Sequence, residues 1–368
     1  MEMKERNIEF EASEGEATKD ADVFYNPEMQ LNRDLSEIAV KVFRERADLA
    51  EMRVCDATAG SGIRGLRYAD SADTLVLNDP NPEARKAIKK GLEMNNIEAE
   101  VTGKDANVLL SEHRNYFHVI DVDPFGPFTK FLDSTARATN HTGFVGFTAT
   151  DNSAPSGSYP KVCMRRYGAK PLRNSFMHET GLRIYVREVF ENYARFDKAF
   201  EPKLCFHERH YSRVMGRVTE SKRRCNKNLE NIGYLSFCPE CRWRKLEKVR
   251  ECEYCGSEVK HAGPLWTGKL SDHRFTEDML EEMPDWQDTE EKLELINSEA
   301  SIRTPFYDIH EMASQLGVQA PKRDEVIESL KETGYVVSRT HFSPTGLRTD
   351  APFQDIRDEI KQASITEL

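Results

Sequence analysis

Short apolar segments alternate with helical segments between Met52 and Thr150, and the first four end at, or shortly before, an aspartate. We predict strands over Arg53–Asp56, Thr74–Asp79, Glu100–Thr102, Phe117–Asp123 and Phe144–Thr148. The intervening segments predict helices, one of them beginning at Pro82 with Asn81 as its cap. Strands that are separated by helices pair in parallel and are covered on both faces. The pattern therefore predicts a Rossmann-like α/β domain.

The turn after the first strand, from Asp56 to Gly62, consists of small residues (Asp-Ala-Thr-Ala-Gly-Ser-Gly). Gly60 and Gly62 let the backbone approach a ligand, and the amides at the start of the next helix face it. Asp79 can accept from ribose hydroxyls, and Asp105, followed by Ala106, can accept from an adenine amino group. Because the third glycine of G-x-G-x-x-G is missing, S-adenosylmethionine is favoured over NAD. The alternative is that these aspartates are only helix caps.

The fourth strand ends in Asp123-Pro124-Phe125-Gly126. The lone pair of an exocyclic amine on a base is delocalised into the ring, so this nitrogen is a poor nucleophile. Asp123 can accept one N–H and the Pro124 carbonyl the other, while Phe125 can stack on the base. The motif predicts methylation of an amino group, with Asp123 orienting the acceptor more than deprotonating it. The alternative is an ordinary turn at the end of a strand.

Four of the eight cysteines form two close pairs, Cys238 with Cys241 and Cys252 with Cys255, in the spacing C-x₂-C-x₁₀-C-x₂-C. Two such turns present four thiolates tetrahedrally to zinc. Four protein ligands leave no open position, so we predict a structural Zn²⁺ site. The basic residues between the pairs, with Trp243, either meet RNA phosphates or form a solvated face.

The charge of the chain is unevenly distributed. The net charge is −11, yet residues 151–250 carry 22 Lys and Arg against 11 Asp and Glu. A basic middle in an acidic chain is typical of a surface for nucleic-acid phosphates, although a chance asymmetry is the alternative. No apolar run approaches the ~20 residues that span a bilayer. The acidic start of the chain does not resemble a signal peptide, so we expect a cytoplasmic protein without a membrane or protein partner.

The C-terminal part has its own pattern. Helices are predicted over Tyr307–Leu316 and Lys322–Thr333, followed by a strand over Tyr335–Thr340 and a turn over Ser343–Gly346. Helix, turn, helix and hairpin are the layout of a winged helix, with a generic α+β module as the alternative. We therefore predict three parts: a methyltransferase domain (1–230), a zinc-ribbon-like module with four cysteine ligands (231–263) and a winged-helix-like C-terminal domain (264–368).

Several motifs resemble those of the tRNA (guanine(26)-N2)-dimethyltransferases. They are the N-terminal motif Phe24–Asp34, the cofactor loop Asp56–Arg67, the catalytic motif Asp123–Gly126 and the C-terminal motif Ser343–Pro352. Together they cover nearly the whole chain. The resemblance implies a class I methyltransferase fold, S-adenosylmethionine as donor, and one and then two methyl transfers to guanine N2 at tRNA position 26. It also implies that Arg33, with Arg64 nearby, meets the cofactor carboxylate, and that the C-terminal domain binds tRNA.

Other functions fit parts of the sequence. A methyltransferase for tRNA position 27 or for adenine N6 in DNA would use the same Asp-Pro-aromatic motif. A nucleic-acid-binding protein without activity would keep the zinc module and the winged helix. Retention of Asp56, Asp79, Asp105 and Asp123 favours an enzyme.

Overall fold

The computed structural model describes residues 1–12 and 23–366. Residues 13–22, part of the segment predicted not to be a signal peptide, lie outside the described residues. The chain begins with an antiparallel hairpin of β1 (Glu2–Glu5) and β2 (Ile8–Glu11). This hairpin is joined to a later helix by the backbone N–H of Glu9, which donates to the Asn95 side chain at 3.0 Å. A long helix, α1 (Gln30–Arg46), follows.

A seven-stranded sheet forms the centre of the molecule. The first five strands of the sheet and the helices that connect them are, in chain order, β3 (Arg53–Asp56), α2 (Ile63–Arg67), β4 (Thr74–Asn78), α3 (Pro82–Asn95), β5 (Glu100–Thr102), α4 (Ala106–Glu112), β6 (Phe117–Val122), α5 (Leu132–Ala138) and β7 (Thr139–Ala149). The last two strands and the helices around them are α6 (Pro160–Tyr167), α7 (Met177–Ala194), β8 (Lys198–Glu208), β9 (Tyr211–Glu220) and α8 (Lys222–Leu229). The strand order is β5-β4-β3-β6-β7-β9-β8. Strands β3 to β7 pair in parallel, and β9 is antiparallel to both of its neighbours.

Burial explains why these residues form this sheet. All six residues of β6 are buried, because helices cover the sheet on both faces. One face packs against α5 and α7, and the other against α1, α2 and α3. The Asn81 side chain accepts from the backbone N–H of Glu83 at 3.0 Å, and this cap starts α3 at Pro82 as predicted. The predicted Rossmann-like fold is confirmed.

Three antiparallel strands form a small second sheet. They are β10 (Ile232–Phe237), β11 (Arg244–Lys245) and β12 (Lys260–Trp266), in the order β11-β10-β12. The cysteine pairs lie in the turns that connect these strands. This is the arrangement of a zinc ribbon.

The remaining elements are α9 (His273–Glu281), α10 (Gln287–Glu299), β13 (Tyr307–Asp308), α11 (Ile309–Leu316), α12 (Arg323–Glu332), β14 (Val337–Thr340), β15 (Ser343–Thr349) and α13 (Phe353–Thr366). Helices α11 and α12 precede the β14–β15 hairpin, and β13 completes a sheet of order β13-β15-β14. The predicted winged-helix layout is therefore present. Helices α9 and α10 contribute Phe275, Met279, Leu293 and Ile296 to the core that contains α1. The division into three domains stays a prediction.

Two local predictions in this part are wrong. The segment Ser343–Gly346 is the start of β15 rather than a turn, and the chain reverses at His341 and Phe342 instead. The Ser343 and Thr345 hydroxyls donate to the Asp308 carboxylate at 3.1 and 2.5 Å, which holds the segment against the neighbouring strand. Asp308 also caps α11, accepting from the Glu311 N–H at 3.0 Å. The helix therefore begins at Ile309 rather than at Tyr307.

Among the described residues, no helix is long and apolar enough to cross a membrane.

Candidate active site

A cleft of about 430 Å³ lies where β3, β4, β5 and β6 end. The strand order reverses between β3 and β6, and ligands of such sheets bind at the carboxyl ends beside this point. The residues predicted from the sequence that line the cleft are Arg33, Gly60, Asp79, Asp105, Ala106, Asp123, Pro124 and Phe125. The lining also includes residues that we did not single out individually, namely Phe24, Asn26, Met29, Lys130, Phe131, Thr150 and His210.

Asp79 is fixed at the cleft by backbone amides. Its Oδ2 accepts from the Gly60 N–H at 2.8 Å, and its Oδ1 accepts from the Asn81 N–H at 2.9 Å. Burial raises the pKa of Asp79 above its ordinary value despite these bonds. Gly60 has a φ of +54°, which favours glycine at this close approach. The carboxylate is thus held beside the glycine turn, where a ribose would lie.

Asp105 has two roles in the structure. It lines the cleft with Ala106, and it caps α4 by accepting from the Asn107 N–H at 2.9 Å. Both interpretations therefore apply to Asp105: its side chain caps a helix, and it also faces the cleft where a ligand would bind. The two are compatible, since a capping carboxylate retains a second oxygen.

Asp56, Gly62 and Arg64 do not line the cleft. A Cβ on Gly62 would lie 2.8 Å from Ile88 Cγ1, so this glycine allows close packing of α3 against the turn. Asp56 is buried and accepts from the Thr58 N–H at 3.4 Å. Burial, together with the Asp121 carboxylate, raises the pKa of Asp56 to about 7. These three residues support the cleft from beneath.

Asp123 stands at the end of β6 and is positioned from two sides. Its backbone N–H donates to Thr58 Oγ1 at 2.8 Å, and its Oδ2 accepts from Arg64 Nη2. The side chain is 20% exposed. Within the described residues Oδ1 has no hydrogen-bond donor, so a ligand in the cleft can reach it. The next residue but one, Phe125, is 53% exposed and packs edge-on against Phe24, with ring centroids 4.6 Å apart.

Arg64 connects Asp123 to a buried polar network. It donates to Asn32 Oδ1 at 3.0 Å and to Ser36 Oγ at 3.2 Å, and it lies 3.5 Å from Asp121. Burial alone would lower the pKa of Arg64, but the Asp121 and Asp123 carboxylates outweigh it and hold this pKa well above its usual value. Asp121 is shared with Arg213 and Tyr68. Sequence reasoning missed this network because its members are distant in the chain.

Arg33 lines the cleft from α1, although it is buried. Its Nε donates to Glu5 Oε1 at 2.8 Å, and its Nη2 donates to the Asn26 carbonyl at 3.1 Å. The guanidinium also lies 5.0 Å from the centre of the Tyr25 ring. Four residues of the motif Phe24–Asp34 thus line the cleft, namely Phe24, Asn26, Met29 and Arg33.

The four predicted metal ligands come together. The Sγ atoms of Cys238, Cys241, Cys252 and Cys255 all lie within 4.8 Å of one another. Cys238 and Cys255 are 3.6 Å apart, and Cys241 and Cys252 are 3.5 Å apart, which is too long for disulfides. Ligands at the usual Zn–S distance of 2.3 Å stand about 3.8 Å apart on a tetrahedron. The four thiols therefore fit a structural zinc ion.

Three aromatic or basic side chains within the basic segment 151–250 are buried. Arg244 lies between the rings of Phe176 and Tyr307, at 4.1 and 4.3 Å, and Trp243 is 7% exposed. Tyr167 is buried and donates to Asp151. These residues stabilise the packing and are not available to RNA.

Comparisons with known proteins agree with this geometry. Residues 4–361 match the family described as N2,N2-dimethylguanosine tRNA methyltransferase. The chain is 38% identical over 351 residues to the tRNA (guanine(26)-N(2))-dimethyltransferase of Methanothermobacter thermautotrophicus, covering 92% of each chain. It is 36% identical to the protein of that name from Pyrococcus abyssi, covering 92% of this chain and 93% of the other. The solved structure of Trm1 from Pyrococcus horikoshii with S-adenosyl-L-methionine superimposes with a TM-score of 0.87 at 31% identity, covering 98% of this chain and 99% of that one.

Proposed function

The chain belongs to the N2,N2-dimethylguanosine tRNA methyltransferase family, and from this premise we propose that it transfers one and then a second methyl group from S-adenosylmethionine to N2 of guanine 26 in tRNA. The main support for this proposal is the position of three aspartates. Strand ends bring Asp79, Asp105 and Asp123 to a single cleft, with the exposed Phe125 ring in its wall. Three carboxylates at this position are suited to a nucleoside cofactor and an amino-group acceptor.

The cofactor end of the cleft lies at β4 and β5. Asp79 would accept from the ribose hydroxyls, Asp105 and Ala106 would contact the adenine, and Arg33 would meet the carboxylate. Gly60 keeps the backbone clear of the ligand. The bound cofactor supplies a methyl group on a sulfonium sulfur. The chain has no need to activate this group further, so its task is to position the acceptor.

The acceptor end lies at Asp123, Pro124 and Phe125. Asp123 Oδ1 accepts one N–H of the guanine amino group, since Arg64 occupies Oδ2. The Pro124 carbonyl accepts the other N–H, and the Phe125 ring stacks on the extruded base. In the transfer the methyl carbon–sulfur bond would break with its electron pair left on sulfur, and a carbon–nitrogen bond would form at N2. The N–H proton held by Asp123 Oδ1 would pass to that carboxylate and then to water. The second transfer starts with a single N–H, so only one of these two acceptors can engage it.

The surface beside the cleft fits a polyanion. Residues 152–178 contain no Asp or Glu and five Lys and Arg. This segment begins two residues after Thr150, which lines the cleft. The Tyr167 hydroxyl, within the segment, donates to the intervening Asp151 at 2.8 Å. Arg165 is exposed, and Tyr159 is 61% exposed. The tRNA backbone docks here, with phosphates on the basic side chains and stacking on Tyr159.

The C-terminal domain contacts tRNA through surfaces other than α12, the second helix of the winged-helix layout. Helix α12 carries four acidic and two basic residues, so its charge repels a phosphate backbone. DNA-binding winged helices place the equivalent helix in the major groove. The contribution of residues 264–368 to tRNA binding therefore comes from other surfaces of the domain.

The experiment that tests the proposal compares two acceptors. Purified protein is incubated with labelled S-adenosylmethionine and either an unmodified tRNA transcript or duplex DNA, and the products are digested to nucleosides. The proposal predicts N2-methylguanosine followed by N2,N2-dimethylguanosine from tRNA, with no label in DNA. Labelled N6-methyladenine from DNA would replace it with the adenine-methyltransferase alternative.

A further inference from the structure

The N-terminal hairpin places an acidic side chain against Arg33, which lines the cleft. Glu5 is the last residue of β1 and is 2% exposed. Its carboxylate receives a side-on pair from Arg33, with Nε to Oε1 at 2.8 Å and Nη2 to Oε2 at 2.5 Å. The two residues are 28 positions apart in the chain, so their contact depends on how the hairpin packs.

Glu5 has further partners that fix its own position. Arg67 Nη1 donates to its Oε1 at 2.7 Å, and the Tyr25 hydroxyl donates to its Oε2 at 3.0 Å. Burial of the carboxylate raises its pKa, but Arg33 and Arg67 more than compensate, and the pKa of Glu5 is lowered. Glu5 therefore remains ionised and is held in place behind Arg33.

The pairing determines which part of Arg33 remains free. A guanidinium is rigid and planar, so a carboxylate on its Nε–Nη2 edge fixes the plane of the whole group. Nη2 is used further by the Asn26 carbonyl at 3.1 Å. Nη1 makes no hydrogen bond to any residue in the ranges 1–12 and 23–366. It is the donor that Arg33 can offer to a ligand in the cleft that it lines.

We propose that Glu5 is a positioning residue for the cofactor, orienting Arg33 so that Nη1 meets the carboxylate of S-adenosylmethionine. The inference rests on the proposed function, which assigns that carboxylate to Arg33. In Glu5→Gln a neutral amide replaces the carboxylate, so the side-on pair is lost and Arg33 can rotate. We expect KM for S-adenosylmethionine to rise about tenfold, the size of coupling common within one ion-pair network, with kcat nearly unchanged.

The test compares two ligands that differ in the amino-acid group. S-adenosylhomocysteine carries the carboxylate, whereas 5′-methylthioadenosine has the same nucleoside and a thioether without it. Calorimetric affinities are measured for the native full chain, Glu5→Gln and Glu37→Gln. Glu37 is the matched control because it pairs with Arg67, with Nε to Oε2 at 2.5 Å, and makes no bond to Arg33. A milder variant, Glu5→Asp, keeps the charge if Glu5→Gln does not fold.

The expected result is selective. Glu5→Gln weakens S-adenosylhomocysteine about tenfold and leaves 5′-methylthioadenosine unchanged, Glu5→Asp does the same to a smaller degree, and Glu37→Gln affects neither. Equal weakening of both ligands, or of neither, by the Glu5 variants would overturn the inference. Arg33→Met separates the premise from the inference. If this variant also fails to discriminate between the ligands, the assignment of the carboxylate to Arg33 is wrong, and the role of Glu5 falls with it.

Discussion

Asp123→Ala removes the carboxylate to which we assign orientation of the guanine amino group. A positioned proton acceptor contributes about 10²- to 10⁴-fold to a rate, so transfer should slow by that factor. At ~1.36 kcal/mol per factor of ten, this is about 3–5 kcal/mol of transition-state stabilisation. The fold should tolerate the change, because Arg64 keeps its bonds to Asn32 and Ser36 and remains near Asp121.

The assay measures single-turnover methyl transfer to a tRNA transcript and, separately, the calorimetric affinity for S-adenosylmethionine. The rate should fall while the affinity stays unchanged, since Asp79, Asp105 and Arg33 are intact. Asp133→Ala is the control, because Asp133 is exposed on α5 and its ion pair among the described residues is with Arg137 on the same helix. An Asp123→Ala rate within about tenfold of the native rate would refute the reasoning, since it corresponds to less than one ordinary hydrogen bond to a charged group.

The pKa of Asp56, about 7, lies above the ~3.9 of an unfolded chain, so its ionisation removes stability as the pH rises from about 4 to 7. Asp56→Asn should therefore raise the melting temperature more at pH 8 than at pH 5, and a gain independent of pH would contradict this. Cys241→Ser should abolish zinc binding, measured by atomic absorption, and lower the melting temperature by about 5 °C or more, whereas Cys225→Ser, outside the cluster, should leave the zinc content unchanged. Arg165→Ala should weaken tRNA binding and reduce the salt dependence, log Kd against log salt, by about one unit of slope, while an unchanged slope would remove Arg165 from the interface.

The position of the cleft could be predicted from the sequence. Which strand-end aspartates line it, and which are buried behind it, could not. Asp79, Asp105 and Asp123 were predicted correctly to converge, because the carboxyl ends of parallel strands meet at one edge. Asp56 ends a strand in the same way, yet its side chain is buried beneath the glycine turn. No periodicity distinguishes these cases, since the path of the turn depends on the left-handed conformation of Gly60 and Gly62.

Contacts between segments that are distant in the chain could not be predicted from the sequence patterns. Arg33 was assigned from family resemblance, and nothing in the local sequence pointed to Glu5, whose role depends on how a short hairpin packs. Likewise, Ser343–Gly346 has the composition of a turn but forms a strand, because Asp308 binds its hydroxyls. In each case a long-range polar contact outweighs the local preference.

If this cleft methylates N2 of guanine 26, the reaction must require guanine at that position. The most direct test uses two tRNA transcripts that differ only in guanine or adenine at position 26, each incubated with labelled S-adenosylmethionine and analysed as nucleosides. We expect N2-methylated and N2,N2-dimethylated guanosine from the first transcript and none from the second. Transfer that persists on the adenine transcript would contradict it and move the site of methylation, with position 27 the first to examine.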